Sequence, residues 1–260
     1  MEVDRVPQVF KITLAYDGTR YVGWQRQAEG VSIQGLLEAA LARFEGHPVI
    51  VHGAGRTDAG VHALGQVASA QLSSGHAPSE LCRGLNASLP PDVRVMQVEE
   101  AEAGFHARFS ARSKMYRYAI RNAPIVSPFE HPFVWHVPEP LDLAAMQAAA
   151  AMLVGTHDFA CFRSTGSEVK DTTRTITRSE VLSNAHPPPT NHQPGLVAYE
   201  VTATGFLRHM VRAIAGTLVE VGRRRRSPES VAALLDGRSR ADAGATAPPQ
   251  GLFLVSVTYD

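Results

Sequence analysis

Gly53-Ala54-Gly55-Arg56-Thr57-Asp58-Ala59-Gly60-Val61-His62-Ala63-Leu64-Gly65-Gln66-Val67-Ala68-Ser69-Ala70 sets one acid, Asp58, in a glycine-bracketed loop between two strand-like runs. Before it, Pro48 to His52 holds the β-branched residues Val49, Ile50 and Val51; after it, Gln66 to Leu72 alternates polar and apolar with the period of a half-buried strand. Gly53, Gly55 and Gly60 can adopt positive φ or admit another backbone closely, so the loop can turn sharply and present a single carboxylate outward. Arg56, two residues earlier, is a candidate electrostatic or phosphate partner. Asp among glycines is also common in plain turns, where it bonds its own backbone. A phosphate cradle is disfavoured, because Gly-x-Gly-x-x-x-x-Gly fits neither nucleotide fingerprint and a strand follows where an anion site needs a helix N-terminus.

Outward from this loop, Val9 to Tyr16 reads as a strand ending at Asp17-Gly18, and Ser32 to Phe44 as a helix with Ile33, Leu36, Leu37, Ala40, Leu41 and Phe44 on one side. A short helix over Ser79 to Ala87 and a strand over Val93 to Val98 complete a strand-helix-strand-strand-helix-strand order, as in a ferredoxin-like unit. The second half opens with a strand from Arg112 to Arg121, then a strand from Phe133 to Val137, an Ala-rich helix from Leu141 to Val154, and strands over Thr172 to Leu182 and Leu196 to Thr204. The last two flank a Pro-rich loop, His186 to Gly195. Leu207 to Val221 predicts a strong helix, Ser227-Pro228 caps a short one ending at Gly237, and Leu252 to Tyr259 is a closing strand. The fold class is α+β: residues 1–108 and 109–260 form two halves of one plan, with no recognisable sequence repeat.

At 260 residues and 44% hydrophobic content, the chain can bury a substantial core. No apolar run approaches the ~18 residues of a spanning helix, and the charged start lacks a signal-peptide core, so a cytoplasmic protein without membrane attachment is expected. Cys82 and Cys161 sit among apolar neighbours and are expected as free thiols. The histidines show no metal-ligand spacing, so no metal is expected. Net charge is zero but unevenly spread: residues 1–108 hold 9 Lys/Arg against 12 Asp/Glu, residues 109–226 hold 14 against 9. That asymmetry points to an anionic partner for the middle of the chain.

Three further features join the carboxylate. Lys114-Met115-Tyr116-Arg117-Tyr118 places both tyrosines on one strand face and Met115 and Arg117 on the other. On the predicted helix Arg208 and Arg212, four apart, share a side, and Arg212 can point into a cleft. Gly251-Leu252-Phe253-Leu254-Val255 offers an apolar lip. Taken singly, paired tyrosines are usually packing and helix arginines usually face solvent.

Together these blocks resemble the tRNA pseudouridine synthase A family. The resemblance rests on Gly55-Arg56-Thr57-Asp58-Ala59-Gly60-Val61-His62-Ala63, with Tyr21-Val22-Gly23-Trp24-Gln25-Arg26-Gln27, Phe105-His106-Ala107-Arg108-Phe109, Tyr116-Arg117-Tyr118, Phe206-Leu207-Arg208-His209-Met210-Val211-Arg212 and Gly251-Leu252-Phe253-Leu254-Val255, in the family's order from about Phe10 to Tyr259. Arg208 and the Pro-rich loop depart from the family pattern, away from the catalytic positions. The resemblance implies two tandem ferredoxin-like halves forming a continuous, mainly antiparallel sheet with a central cleft. It also implies a homodimer and isomerisation of uridine to pseudouridine at positions 38, 39 and 40 of the tRNA anticodon stem-loop. By the same likeness Asp58 is the catalytic aspartate, Tyr116 stacks on the uracil, Arg212 pairs with the aspartate, Arg56 helps displace the target base and Leu252 lines the pocket.

Such a reaction breaks the N1–C1′ bond, turns the trapped uracil and rejoins it through C5. Reactant and product are isomers, so no cofactor is required in principle. Asp58 could attack C1′, attack C6 or abstract a sugar proton, and each route needs it ionised. Burial alone would neutralise it, whereas a nearby guanidinium favours the charged form. Flipping the base costs a few kcal/mol, which aromatic stacking of ~1–3 kcal/mol partly offsets. Phosphate contacts supply the rest, with Arg108, Arg112, Lys114, Arg117, Arg208, Arg223, Arg224, Arg225 and Arg226 as candidates. The competing class is a noncatalytic RNA-binding protein, which gains little from a carboxylate among phosphates. A hydrolase would want a second carboxylate or a metal cluster, and neither is recognisable.

Overall fold

The computed structural model describes residues 7–73, 75–164, 166, 169–183 and 195–259. The Pro-rich loop, His186 to Gly195, lies outside the described residues except for Gly195. The chain divides into two units, Met1–Arg112 with Leu254–Asp260, and Ser113–Phe253. Within the first unit the backbone N–H of Arg112 donates to Thr258 O at 2.8 Å, which ties this segment to the returning C-terminus.

The first unit contains β1 (Gln8–Tyr16), α1 (Ile33–Glu45), β2 (Val51–Gly53), β3 (His62–Leu72), α2 (Pro78–Ser88) and β4 (Val93–Ala101). β3 pairs on opposite sides with β1 and β2, and β4 pairs with β1, all antiparallel, giving the order β4-β1-β3-β2 of a ferredoxin-like unit. Alternation dictates which face of β1 is buried: Phe10, Ile12, Leu14 and Tyr16 are all inside. α1 starts where Ser32 Oγ accepts from Gly35 N at 3.2 Å and ends at Gly46, whose φ of 72° lets its N–H reach Ala42 O. Its stripe Ile33, Leu37, Ala40 and Leu41 is buried, as the spacing predicts, each large side chain contributing roughly 1.5–3 kcal/mol.

The second unit runs β5 (Ser113–Arg121), β6 (Trp135–His136), α3 (Leu143–Ala151), β7 (Gly155–Asp158), β8 (Thr173–Ser183), β9 (Leu196–Ala203), α4 (Met210–Gly222), α5 (Glu229–Ala233) and the start of β10 (Leu252–Thr258). Here β10-β5-β9-β8 repeats the first unit's order, with β7 added beyond β8 and β6 parallel to β5. The expectation of an α+β fold with two halves of one plan is met.

Several details differ from the sequence reading: the strand expected over Phe133 to Val137 shrinks to Trp135–His136, the helix expected to end at Gly237 ends at Ala233, and two further differences have a clear local cause. β7 was hidden because Gly155-Thr156-His157-Asp158 carries no apolar alternation. The helix expected from Leu207 begins only at Met210, because His209 adopts a left-handed φ of 63° and breaks the helical path. Arg208 therefore lies in the turn before α4 and does not share a helical side with Arg212. In α4 itself every residue but Arg212 and Glu220 is buried, so it is a core helix from which the Arg212 side chain emerges.

Candidate active site

In the first unit, β2 and β3 are joined by the Asp58 loop, the strand-to-strand junction that the alternation predicts. Val61 N donates to Asp58 O at 3.1 Å, closing a four-residue turn whose third position, Gly60, has a φ of 76°. This left-handed region favours glycine. Asp58 is half-buried, Arg56 exposed and Thr57 buried, so one turn sends an acid and a guanidinium outward and one hydroxyl inward.

What holds this turn was not legible as a motif. Thr57 Oγ1 lies 2.8 Å from the hydroxyl of Tyr16, and Gln66 Nε2 donates to Gly55 O at 2.9 Å. Gln66 is fully buried, so its amide is a costly group that must be satisfied, and the loop carbonyl satisfies it. Burial pushes the Tyr16 phenol up to about 12, opposed by its bonds to Thr57 and Gln66, so it stays protonated and able to donate. The one available signal was Gln66 itself, a polar residue on the strand that follows the loop.

The segment Tyr21 to Gln27 braces the loop from its other side. Trp24 N donates to Thr57 O at 3.0 Å, and the indole packs on Gly53. Gly23, at a φ of 102°, lies so close that a Cβ there would stand 2.5 Å from Thr57 O. Tyr21 Oη donates to Asp92 Oδ1 at 2.6 Å, and Arg20 Nη2 to Asp92 Oδ2 at 2.6 Å. Burial raises the Asp92 pKa, but the bonds from Tyr21 and Arg20 outweigh it and hold the carboxyl below its ordinary value. The Asp58 turn is thus held by contacts to residues 16, 23, 24 and 66.

In the second unit, Tyr116 lies on β5 opposite Val201, only 7% exposed, with its ring edge-on to Phe206 at 5.0 Å. Tyr118, on the same face, is fully buried and donates its hydroxyl to Pro248 O at 2.7 Å. Burial raises the Tyr118 pKa well above the ordinary tyrosine value, while the nearby Arg212 charge works the other way. Arg212 Nε donates to Ala247 O at 2.8 Å, and Ala247 N returns a bond to Arg212 O at 3.0 Å. The guanidinium is therefore held between α4 and the segment leading to Leu252, which opens β10 and is buried. Arg212, Tyr118 and the 247–252 segment form one cluster, and Tyr116 pairs with Phe206.

The basic residues separate into two kinds. Arg117 Nε bonds Glu200 Oε1 at 2.8 Å across the β5–β9 ladder, and Arg178 reaches the other oxygen at 3.3 Å. The Arg117 charge is compensated in place. Arg223 pairs with Glu139 at 2.7 Å and Arg224 with Asp142 at 3.2 Å, tying the end of α4 to the segment that starts α3, while Arg226 pairs with Glu220 of α4 itself at 3.3 Å. Arg108, Arg112, Arg208 and Arg225 are exposed, and Lys114 is half-buried. Cys82 and Cys161 are free thiols, and burial pushes that of Cys161 up to about 12. Among the described residues no group of three or more His, Cys, Asp or Glu could hold a metal ion, and no helix is long and apolar enough to cross a membrane.

Two consecutive units with the same strand order define a tandem ferredoxin-like α+β protein. A family model described as tRNA pseudouridine synthase matches residues 12–110 and 149–260. The tRNA pseudouridine synthase A of Pelobacter propionicus is 45% identical over 252 residues, 97% of this chain and 100% of that protein. That of Myxococcus xanthus is 46% identical, covering 96% of this chain and 91% of that one. That of Moorella thermoacetica is 44% identical over 96% and 98%. The chain belongs to the tRNA pseudouridine synthase family, whose members are isomerases. Among solved structures, the archaeal box H/ACA sRNP Nop10-Cbf5 complex contains a chain aligned at TM-score 0.33 and 11% identity, over 81% of this chain and 44% of that one.

Proposed function

We propose that this protein, as a cytoplasmic homodimer, converts uridine to pseudouridine at positions 38, 39 and 40 of the tRNA anticodon stem-loop, with Asp58 as the catalytic carboxylate. The observation that carries the proposal is the bracing of one half-buried acid on a turn whose neighbours cannot shift without leaving buried polar groups unpaired. An active site needs that preorganisation; a binding surface for phosphates gains nothing from a fixed negative charge.

In this reading the target base leaves its stack, helped by Arg56, and its uracil lies against Tyr116 in a pocket lined by Leu252. Arg212, whose Nε is fixed by Ala247 O, is by the family likeness the partner of the acid. The N1–C1′ bond breaks, the uracil turns, and C5 bonds to C1′ while the C5 proton is lost and N1 gains one. Arg108, Arg112, Arg208 and Arg225 supply the phosphate contacts, with Lys114 beside Tyr116. Arg117, Arg223, Arg224 and Arg226 contribute less, being held by carboxylates.

Incubation with an unmodified tRNA transcript, followed by chemical mapping of pseudouridine, is expected to show product at positions 38 to 40. Tight binding with no product would instead mark a noncatalytic RNA-binding protein. Affinity should fall as salt rises, and Arg208→Ala should lower the slope of log affinity against log salt by about one unit. An unchanged slope in titrations at several salt concentrations would remove Arg208 from the phosphate contacts.

A further inference from the structure

Phe105-His106-Ala107-Arg108-Phe109 forms a pinned turn in the first unit. Ala107 N donates to Ser69 Oγ of β3 at 3.1 Å, Ala107 O accepts from the Tyr259 hydroxyl at 2.8 Å, and Ser110 N donates to His106 O at 2.9 Å. The His106 ring is fixed too: its Nδ1 accepts from the N–H of Arg108 at 3.1 Å and of Phe109 at 3.4 Å. Burial, and next the neighbouring His52, hold its pKa below the ordinary histidine value, so it remains a neutral aromatic ring at pH 7.

Two rings lie against this imidazole. His52 stacks at 4.6 Å with 30° between planes, and Phe109 lies at 4.4 Å and 37°. Phe109 is nevertheless 75% exposed, with the Arg108 guanidinium 5.5 Å from its ring centre. A groove lined by Ile50, His52, Ser69, Gln71, Phe105 and His106 runs alongside, and Ile50 is 72% exposed.

A phenyl ring in water forgoes the stabilisation of burial, and a pinned backbone gives this one no route inward. Flat rings with an adjacent guanidinium are what proteins offer to unpaired RNA bases: every base has a π-face to stack, and the cation meets the neighbouring phosphate. An apolar protein partner would leave Arg108 desolvated without an anion, which disfavours it. We infer that the His52–His106–Phe109 stack is a docking platform for an unpaired base of the RNA substrate other than the isomerised uridine, with Arg108 on its phosphate. This rests on the RNA substrate proposed above, and it adds a contact that fixes where the RNA lies without taking part in the chemistry. The rigidity of the turn lowers the ordering cost of binding.

The test compares wild type, Phe109→Ala and Phe109→Trp for affinity to unmodified tRNA and to a fully paired RNA duplex, with single-turnover product formation at saturating tRNA. Phe109→Ala should weaken tRNA binding about tenfold while leaving duplex affinity and the saturated rate unchanged, and Phe109→Trp should restore it. Equal tRNA affinity in wild type and Phe109→Ala overturns the platform. So does a fall in sedimentation mass of Phe109→Ala, which would assign the ring to a contact between copies of the chain. Product formation by wild type is followed in parallel, so a failed platform and a failed pseudouridine reading give different results.

Discussion

Asp58→Asn is expected to slow pseudouridine formation by at least about 10³-fold while leaving tRNA affinity within about twofold. The substitution keeps the size and shape of the side chain and removes its charge, so it cannot act as nucleophile or base on any of the three routes open to a carboxylate. The turn should survive, because it is closed through the main chain, Val61 N to Asp58 O, and braced through Thr57 and Gly55. Thermal unfolding should move little. Single-turnover measurement at saturating RNA separates the chemical step from binding; wild-type rates in the variant would show that another group does the work.

Gly23→Ala should produce the largest loss of stability, about 2–3 kcal/mol, together with a rate loss on the order of 10²-fold. Two costs coincide there. The φ of 102° is one that side-chain-bearing residues rarely adopt, and the new methyl carbon would lie 2.5 Å from Thr57 O and 2.9 Å from the carbonyl carbon of Asp58. Relief comes only by moving the backbone that carries the acid, so fold and rate fail together. Gly46→Ala is the control. It shares a positive φ of 72°, but nothing stands within 4 Å of its Cβ position, so a loss of about 1 kcal/mol with an unchanged rate is expected. Urea midpoints and single-turnover rates of both variants check the pair, and equal effects would show that crowding against the loop does not matter.

Much of the fold could be read locally. The alternation in β1, the apolar spacing in α1 and the strands on either side of the Asp58 loop are short-range features; β1 and α1 appear within a residue of where they were expected, while β2 begins only at Val51 and β3 four residues early, at His62. The site was legible only as a set of residue types. Nothing near Arg117 in the chain marks Glu200, 83 residues away, as its partner, so the cross-strand ion pair could not be read locally. The carboxylates paired with Arg223, Arg224 and Arg226 are no more legible, since they come from residues 139, 142 and 220. His209 hid its effect because a left-handed turn by a non-glycine residue has no local pattern to announce it.

By itself the amino-acid order determined the α+β class, the doubled strand-helix plan, the family, and the single acid on a glycine turn, since periodicity, caps and short motifs depend on neighbours a few residues apart. Tertiary structure alone decided what makes that acid rigid and which cations are paired with carboxylates. Those depend on Tyr16 meeting Thr57 across 41 residues, on Gln66 reaching back to Gly55 and on carboxylates delivered by distant strands and helices. Contacts of that kind exist only once the chain has folded, because hydrogen bonds and ion pairs act over a few ångströms of space and take no account of separation along the sequence.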